Sequence, residues 1–209
     1  MDNLIATIKE SLKKLCLTIG KIAIGNKSQF PYGWRNAAKG RTVWRIIEEI
    51  VIQNLKKSAF EFGLSNVEFA SSDIDVYDFK CNVHESTVYV NIKSAVLEGK
   101  TNKDDISKAL GLKTFLEEDI NRNLIVATFY IKFNEVEEMS VEIDDVTVFP
   151  VAWIPDVYVN PSNNGNLQSS KYKNLSDATK RTNEEFYALL VEQIDIANKK
   201  KRNKQAQKD

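Results

Sequence analysis

The spacing of apolar positions along the chain predicts four helices. Residues 3–24 place apolar side chains at steps of three and four, the period of a helix that buries one face. A second helix is predicted from Thr42, as a possible N-cap, to about Lys57, on a stripe of β-branched residues. Residues 103–120 and 177–196 show similar patterns and are interpreted as the remaining helices.

Segments that alternate in polarity, or are apolar throughout, predict the strands. They are rich in β-branched and aromatic residues, and residues 123–133 are apolar enough for the centre of a sheet. The predicted strands are residues 66–70, 73–79, 87–96, 123–133, 141–149 and 152–159. Helices, strands and helices in this order predict an α/β fold in which a central mixed sheet is flanked by helices. Residues 1–198 are predicted to form a single domain, followed by a basic disordered tail at 199–209.

The composition of the chain argues against several kinds of active site and says less about the fold. His84 is the only histidine, and it lies in a polar stretch predicted to be a turn, which argues against a histidine-based triad or a histidine-rich metal site. Cys16 and Cys81 are too few for a disulfide framework and are interpreted as buried free thiols. No apolar run is long enough to span a bilayer, and the first residues do not resemble a secretory signal. A cytoplasmic protein with no membrane partner is therefore expected.

Charge is distributed unevenly along a chain whose formal net charge is zero. The net charge is +5 over residues 1–72, −2 over 73–93, −6 over 94–150 and +3 over 151–209. A basic front and back around an acidic middle would suit a DNA-binding cleft, although random scatter explains the same numbers equally well.

Two pairs of polar residues on neighbouring strands carry the chemical signal. Asp73 and Asp75 are two residues apart, so on a strand they point to the same face, and the same holds for Asn91 and Lys93. A hairpin that turns near His84 would bring the two pairs together. Carboxylate and amide oxygens suit Mg²⁺, and a nearby lysine suits the negative charge that develops during phosphodiester hydrolysis. The pairs therefore predict a magnesium-dependent hydrolytic site.

The segments SSDIDVYDF and VYVNIKSA resemble the two halves of the motif of the PD-(D/E)XK nucleases, and above all of the type II restriction endonucleases among them. Two positions depart from the family pattern: Ser72 replaces the proline, and Asn91 replaces the usual acidic residue. The second substitution removes a negative charge from the expected ligand set. A minority of restriction enzymes of this superfamily have Asn or Gln at this position and remain active, with the amide oxygen serving as a ligand.

The resemblance implies a restriction-endonuclease-like core that cleaves double-stranded DNA at a short sequence with Mg²⁺ and leaves 5′-phosphate ends. It implies that Asp73, Asp75 or both hold the metal, that Asn91 completes the ligand set, and that Lys93 acts on the attacking water. Which aspartate is the principal ligand stays open. Glu48 or Glu49 on the second helix is a further candidate to approach the metal. A homodimer and a cognate DNA methyltransferase are the expected partners.

Two polar loops are candidates for DNA contact. The loop at 160–173 is rich in amides, which can pair with adenine, and in lysines, which can contact phosphate; its candidate residues are Asn163, Asn164, Asn166, Gln168, Ser169, Lys171 and Lys173. The loop at 30–41 adds Arg35, Lys39 and Arg41. A structure-specific or repair nuclease, or a DNA-binding module that has lost catalysis, are the alternative functions.

Overall fold

Nine strands and four helices make up the regular structure of this computed structural model, which describes residues 1–35, 39–72, 74–97, 103–135 and 138–206, with the main chain only at Arg41. The strands are β1 (Lys21–Asn26), β2 (Ser65–Phe69), β3 (Phe79–Val83), β4 (Ser86–Val96), β5 (Asp104–Lys108), β6 (Asn123–Glu135), β7 (Glu138–Pro150), β8 (Tyr158–Asn160) and β9 (Asn166–Ser169). The helices are α1 (Asp2–Ile19), α2 (Lys39–Ser58), α3 (Ala109–Glu118) and α4 (Asn183–Ala206).

The main sheet has six strands in the order β1-β7-β6-β4-β3-β2. Only β4 and β6 run parallel, and the other neighbouring pairs are antiparallel. A parallel pair needs a long crossover, and here the chain between β4 and β6 forms β5 and α3. β5 does not join the main sheet but pairs with β9 in a smaller sheet of order β5-β9-β8. The crossover thus brings a second sheet close to the end of β4.

The core is built on both sides of the central strands. Helix α1 packs against α2 and β7, and α2 packs against β4. Along β4, Val88 and Val90 are fully buried, whereas Tyr89 faces the other side and meets the ring of Phe115 on α3 at 5.0 Å between centroids. Helices α3 and α4 pack against each other. The prediction of an α/β fold with a central mixed sheet flanked by helices is confirmed.

Five predicted elements differ in the structure. The predicted strand 152–159 is a strand only at Tyr158 and Val159, and Val151–Trp153 form a short 3₁₀ helix. The helix predicted from residue 177 begins at Asn183. The first helix ends at Ile19, because Gly20 adopts a positive φ of 61° that breaks the helix, and residues 21–24 belong to β1 instead. Residues 103–120 begin with strand β5 and become helical only at Ala109. Within the segment 73–79, expected to be a strand, residues 74–78 form an irregular stretch of turn and bends until β3 begins at Phe79. A period-two pattern is therefore not sufficient where short polar side chains favour turns.

The C-terminal helix is longer than its amphipathic pattern indicates. α4 continues to Ala206 and so includes residues 199–206, which composition assigned to a disordered tail. These residues are exposed. Lys, Arg, Gln and Ala all have high helix propensity, so the helix can extend into solvent without packing. Cys16 and Cys81 are both buried free thiols, as predicted. Within the described ranges, no helix is long and apolar enough to cross a membrane.

Candidate active site

The hairpin of β3 and β4 forms the predicted turn and fixes an aspartate that sequence analysis did not select. Phe79 pairs with Val90, and His84 takes a positive φ of 53° in the turn. Asp78 immediately precedes β3, and its main-chain N–H donates to the carbonyl of Val90 at 2.8 Å. Its carboxylate Oδ2 accepts a hydrogen bond from the N–H of Ile92. Asp78 is therefore held against β4 on both sides of Asn91, by its main chain at Val90 and by its side chain at Ile92.

A cavity of about 840 Å³ opens beside this hairpin. Asn91 and Lys93 line it from β4, together with Asp78 and with Glu48 of α2. Asn91 is buried and Lys93 half-buried. Asp104 and Asp105 line the opposite side from β5. The hairpin, α2 and the small sheet thus each contribute charged side chains to one space.

Burial shifts the pKa values of Asp78, Lys93 and Glu48 in this cavity toward favouring their neutral forms. Burial raises the pKa of Asp78, opposed by the hydrogen bond from Ile92 and by the charge of Lys93. It lowers the pKa of the Lys93 amine, opposed by the surrounding carboxylates, of which Asp78 and Asp105 act most strongly. The pKa of Glu48 is raised by burial and then by the neighbouring charge of Asp78. Such opposed shifts in one cavity are typical of functional sites.

The oxygen atoms of this cavity suit a hard divalent cation. Within the described residues, no three His, Cys, Asp or Glu side chains form a ready-made metal cluster. Oxygen-bearing side chains of a different composition are present: the carboxylate residues Asp78 and Glu48 and the amide residue Asn91 line the same space. Oδ1 of Asn91 is buried without a hydrogen-bond partner among the described residues. Buried polar atoms are nearly always paired, so this oxygen is available as a ligand.

The aspartates selected from the sequence have other surroundings. Asp73 lies outside the described residues. Asp75 lines the cavity, but its Oδ2 accepts hydrogen bonds from the N–H and hydroxyl of Ser71, both at 3.0 Å, and from the N–H of Ser72 at 3.2 Å. These bonds close the turn before β3. The signal that indicates Asp78 instead is its position directly before the alternating segment FKCNV, at the true start of the strand.

The two glutamates of α2 are distinguished by their environments. Glu48 is half-buried, lines the cavity, and accepts a hydrogen bond from Arg45 at 3.4 Å. Glu49 is exposed and accepts one from Gln53 at 2.8 Å. The charges of Asp78 and Lys93 both act on the pKa of Glu48. The sequence left both open, and the structure brings Glu48 to the cavity.

The amide-rich loop is organised by Asp105 of β5. The side-chain nitrogen of Asn163 donates to both carboxylate oxygens of Asp105, at 3.0 and 2.8 Å, and that of Gln168 donates to Oδ1 at 2.7 Å. These two amides are therefore already engaged through their donor groups. Asn164 is exposed, and Asn166 lines the cavity.

The other candidates of this loop differ in what they offer to a ligand. Lys171 is exposed. Lys173 forms an ion pair with Asp104 at 2.5 Å. Ser169 is fully buried and donates its hydroxyl to Asp156, so in this conformation its side chain presents no surface to DNA.

The second predicted DNA-contacting loop is described in part. Arg35 is exposed. Lys39 forms an ion pair with Glu135 at 2.6 Å and lies over the ring of Phe133. The side chain of Arg41 lies outside what the structure describes. Arg35 is thus the one predicted cation of this loop that the structure leaves demonstrably exposed.

A smaller cavity of about 470 Å³ lies at the start of α4 and contains Lys180 and Arg181. Both cations are engaged: Lys180 pairs with Asp2 at 2.7 Å, and Arg181 donates to the carbonyls of Ala152 and Ile154. The helix start is closed by Thr182 and Glu185, which exchange main-chain and side-chain hydrogen bonds. The two cations that line this cavity are therefore already paired with groups of the protein itself.

Comparison with known proteins adds no assignment. No protein-family model matches the chain, and no curated protein matches it at a significant level. The function is therefore inferred from the residues of the cavity and their geometry.

Proposed function

We propose that this protein is a divalent-metal-dependent nuclease that hydrolyses phosphodiester bonds of double-stranded DNA, similar to the type II restriction endonucleases of the PD-(D/E)XK superfamily. The observation that carries the proposal is the position of Asp78 at the start of a hairpin whose second strand presents Asn91 and Lys93 to one cavity. The spacing and strand order follow the nuclease motif, with Asp78 in place of the aspartates first considered.

Each residue of the cavity has a role that its environment supports. Mg²⁺ would be held by the carboxylates of Asp78 and Glu48 and by the amide oxygen of Asn91. Oxygen atoms of these kinds are the ligands that this ion prefers. The ion, when bound, supplies an activated water and offsets charge on the leaving oxygen. Lys93 would orient the attacking water or stabilise the charge that develops at phosphorus. Four carboxylates surround Lys93 and favour its charged form, against the effect of burial.

Asp73 and Asp75 remain candidate ligands in this proposal, with a lower rank than Asp78. Asp75 would have to give up hydrogen bonds to Ser71 and Ser72 to bind a metal fully. Asp78 is held by one hydrogen bond from Ile92, to a single carboxylate oxygen. The difference favours Asp78 as the principal ligand.

Recognition of a short DNA sequence is the finer part of the proposal. The exposed Asn164 and the cavity-lining Asn166 lie on the small sheet and its turn, next to the proposed cleavage site. Lys171 and Arg35 are exposed cations that can contact phosphate. A homodimer would match a palindromic site, and a cognate methyltransferase would protect the host DNA. A cytoplasmic location follows from the same proposal.

The proposal is tested by incubating plasmid and phage genomic DNA with the purified protein, in Mg²⁺ and in EDTA. We expect discrete fragments with 5′-phosphate ends in Mg²⁺ and intact DNA in EDTA. A smear without discrete bands would support a nuclease without sequence specificity. Intact DNA in both conditions, combined with a gel shift that is indifferent to divalent cations, would replace the proposal with a DNA-binding module.

A further inference from the structure

The side-chain amide of Asn91 joins three segments of the chain. Its nitrogen donates to the carbonyl of Val76 at 2.9 Å and to the carbonyl of Ile106 at 3.3 Å. Val76 lies two residues before Asp78, in the turn segment, and Ile106 lies on β5. The amide is buried on β4 between them. One NH₂ group therefore holds both of these segments to the strand that carries Lys93.

The two carbonyls also determine which way the amide points. An amide offers two donors on nitrogen and an acceptor on oxygen, and main-chain carbonyls can only accept. The nitrogen must therefore face Val76 and Ile106, and Oδ1 must face away from them. That oxygen has no hydrogen-bond partner among the described residues. The amide nitrogen of Asn91 thus serves the fold, and its oxygen is left to bind a ligand.

We infer that Asn91 is a positioning residue whose NH₂ group ties the segments bearing Asp78 and Asp105 to β4, and that a carboxylate cannot replace it. An ionised carboxylate at this place would have only acceptors and would face two carbonyl oxygens inside the protein. The amide in place of the family's usual acidic residue is then a requirement of this chain's packing, and not the mark of a lost activity. The role of Asn91 in metal binding rests on the proposed function, but its hydrogen bonds to the two neighbouring segments do not.

The experiment compares the wild type with Asn91→Asp, Asn91→Ala and the control Asn82→Asp, all free of metal and DNA. Asn82 is a half-buried asparagine on the neighbouring strand β3 whose Oδ1 accepts a hydrogen bond from Thr87, so an aspartate there keeps its bond. We expect Asn91→Asp to lower the midpoint of thermal unfolding by about 5 °C or more, and Asn82→Asp to change it by less than about 2 °C. Hydrogen exchange should accelerate in residues 74–78 and 104–107 in both Asn91 variants and stay unchanged in the control.

Binding of Mn²⁺, measured by calorimetry, separates positioning from simple ligation. If Asn91 were only a weak ligand, the added carboxylate would tighten Mn²⁺ binding. We expect Asn91→Asp instead to weaken it about threefold or more, because the Asp78 segment is released. Should Asn91→Asp fail to fold, the exchange pattern of Asn91→Ala decides the question.

Unchanged exchange at 74–78 and 104–107 in the Asn91 variants would overturn the inference, and so would tighter Mn²⁺ binding by a stable Asn91→Asp. These readouts need neither DNA nor cleavage. A Lys93→Met variant that fails to cut but exchanges like the wild type leaves the tie intact. A wild type that never cuts DNA but shows the predicted exchange would contradict only the nuclease proposal.

Discussion

The main-chain N–H of Ile92 donates a hydrogen bond to the carboxylate of Asp78, across the start of the β3–β4 hairpin. This bond fixes the side chain at the point where the antiparallel ladder of the hairpin ends. Asn91 and Lys93 lie on either side of Ile92, so the same bond sets the distance between the aspartate and both of them. The proposed site therefore depends on strand register more than on any loop.

Replacing Asp78 with asparagine should stabilise the protein in metal-free buffer while it removes cleavage. The amide oxygen of Asn can still accept the bond from Ile92. Burial raises the pKa of Asp78 above its unfolded value, so the folded state prefers the proton and stability falls as pH rises through the folded pKa. At pH 8 the wild type carries this cost and the variant does not.

The measurement is thermal unfolding of the wild type and of Asp78→Asn at a series of pH values in EDTA. We expect the variant to unfold a few degrees higher at pH 8, and the difference to shrink as pH falls below the folded pKa. Mn²⁺ should raise the midpoint for the wild type only. A variant less stable than the wild type at pH 8 would show that Asp78 serves the fold rather than a cation.

Asp75 should behave in the opposite way. Its carboxylate closes the turn through Ser71 and Ser72, so Asp75→Ala leaves three donors without their acceptor. We expect a loss of ~1–2 kcal/mol in the free energy of unfolding, measured by urea titration. Cleavage at a temperature well below unfolding should stay within about threefold of the wild type. A loss of cleavage comparable to that of Asp78→Asn would restore Asp75 as a metal ligand.

The sequence predicts the secondary elements of the sheet well where side chains are large and apolar. β4, β6 and β7 were expected close to their observed positions, because long β-branched segments have few alternatives. The α2 helix was expected within three residues of its start. These elements supply Asn91, Lys93 and Glu48, so the sequence indicates three of the four residues of the proposed site.

The sequence does not indicate which aspartate belongs to the site, because that depends on where the chain turns before β3. The segment DIDVYDF alternates in polarity, and nothing in that alternation distinguishes Asp75 in a turn from Asp78 at a strand start. The hydrogen bonds that Ser71 and Ser72 donate to Asp75 are local, and they compete with the main-chain hydrogen bonds that a strand would form at this segment. The role of Asp105 was also missed, because its partners Asn163 and Gln168 are about sixty residues away.

Asp105 should control how the amide-rich loop meets DNA, in addition to its effect on the charge of Lys93. Asp105→Ala releases the side-chain nitrogens of Asn163 and Gln168. We expect DNA affinity in Ca²⁺, or discrimination between the cleaved sequence and single-base variants, to change about tenfold or more.

The control for this prediction is Asp144→Ala, at an exposed aspartate on β7. It removes the same charge from a strand that does not line the cavity. Single-turnover cleavage of saturated DNA should slow for Asp105→Ala alone, because Asp105 also favours the charged form of Lys93. If both alter DNA binding equally, net charge and not the organisation of the loop is responsible.

The buried thiols should make the protein sensitive to alkali. Burial raises the pKa of both Cys16 and Cys81 to about 12. Because the folded pKa exceeds the unfolded value, stability is complete below the unfolded pKa and is lost as pH rises toward 12. We expect urea midpoints to fall between about pH 9 and 11, and to fall less steeply for Cys81→Ala. A thiol reagent that labels Cys81 of the folded protein at pH 8 would contradict its burial.

The proposed role of Lys93, beside a cation held by Asp78, is tested by the rate at which Lys93→Met cleaves DNA. The matched control is Lys80→Met on β3, where the lysine pairs with Glu68 at 2.9 Å outside the cavity. We expect Lys93→Met to cleave about 100-fold or more slowly in Mg²⁺ while it still binds DNA in Ca²⁺, and Lys80→Met to cleave like the wild type. Equal cleavage by Lys93→Met and the wild type would show that Lys93 takes no part in the reaction.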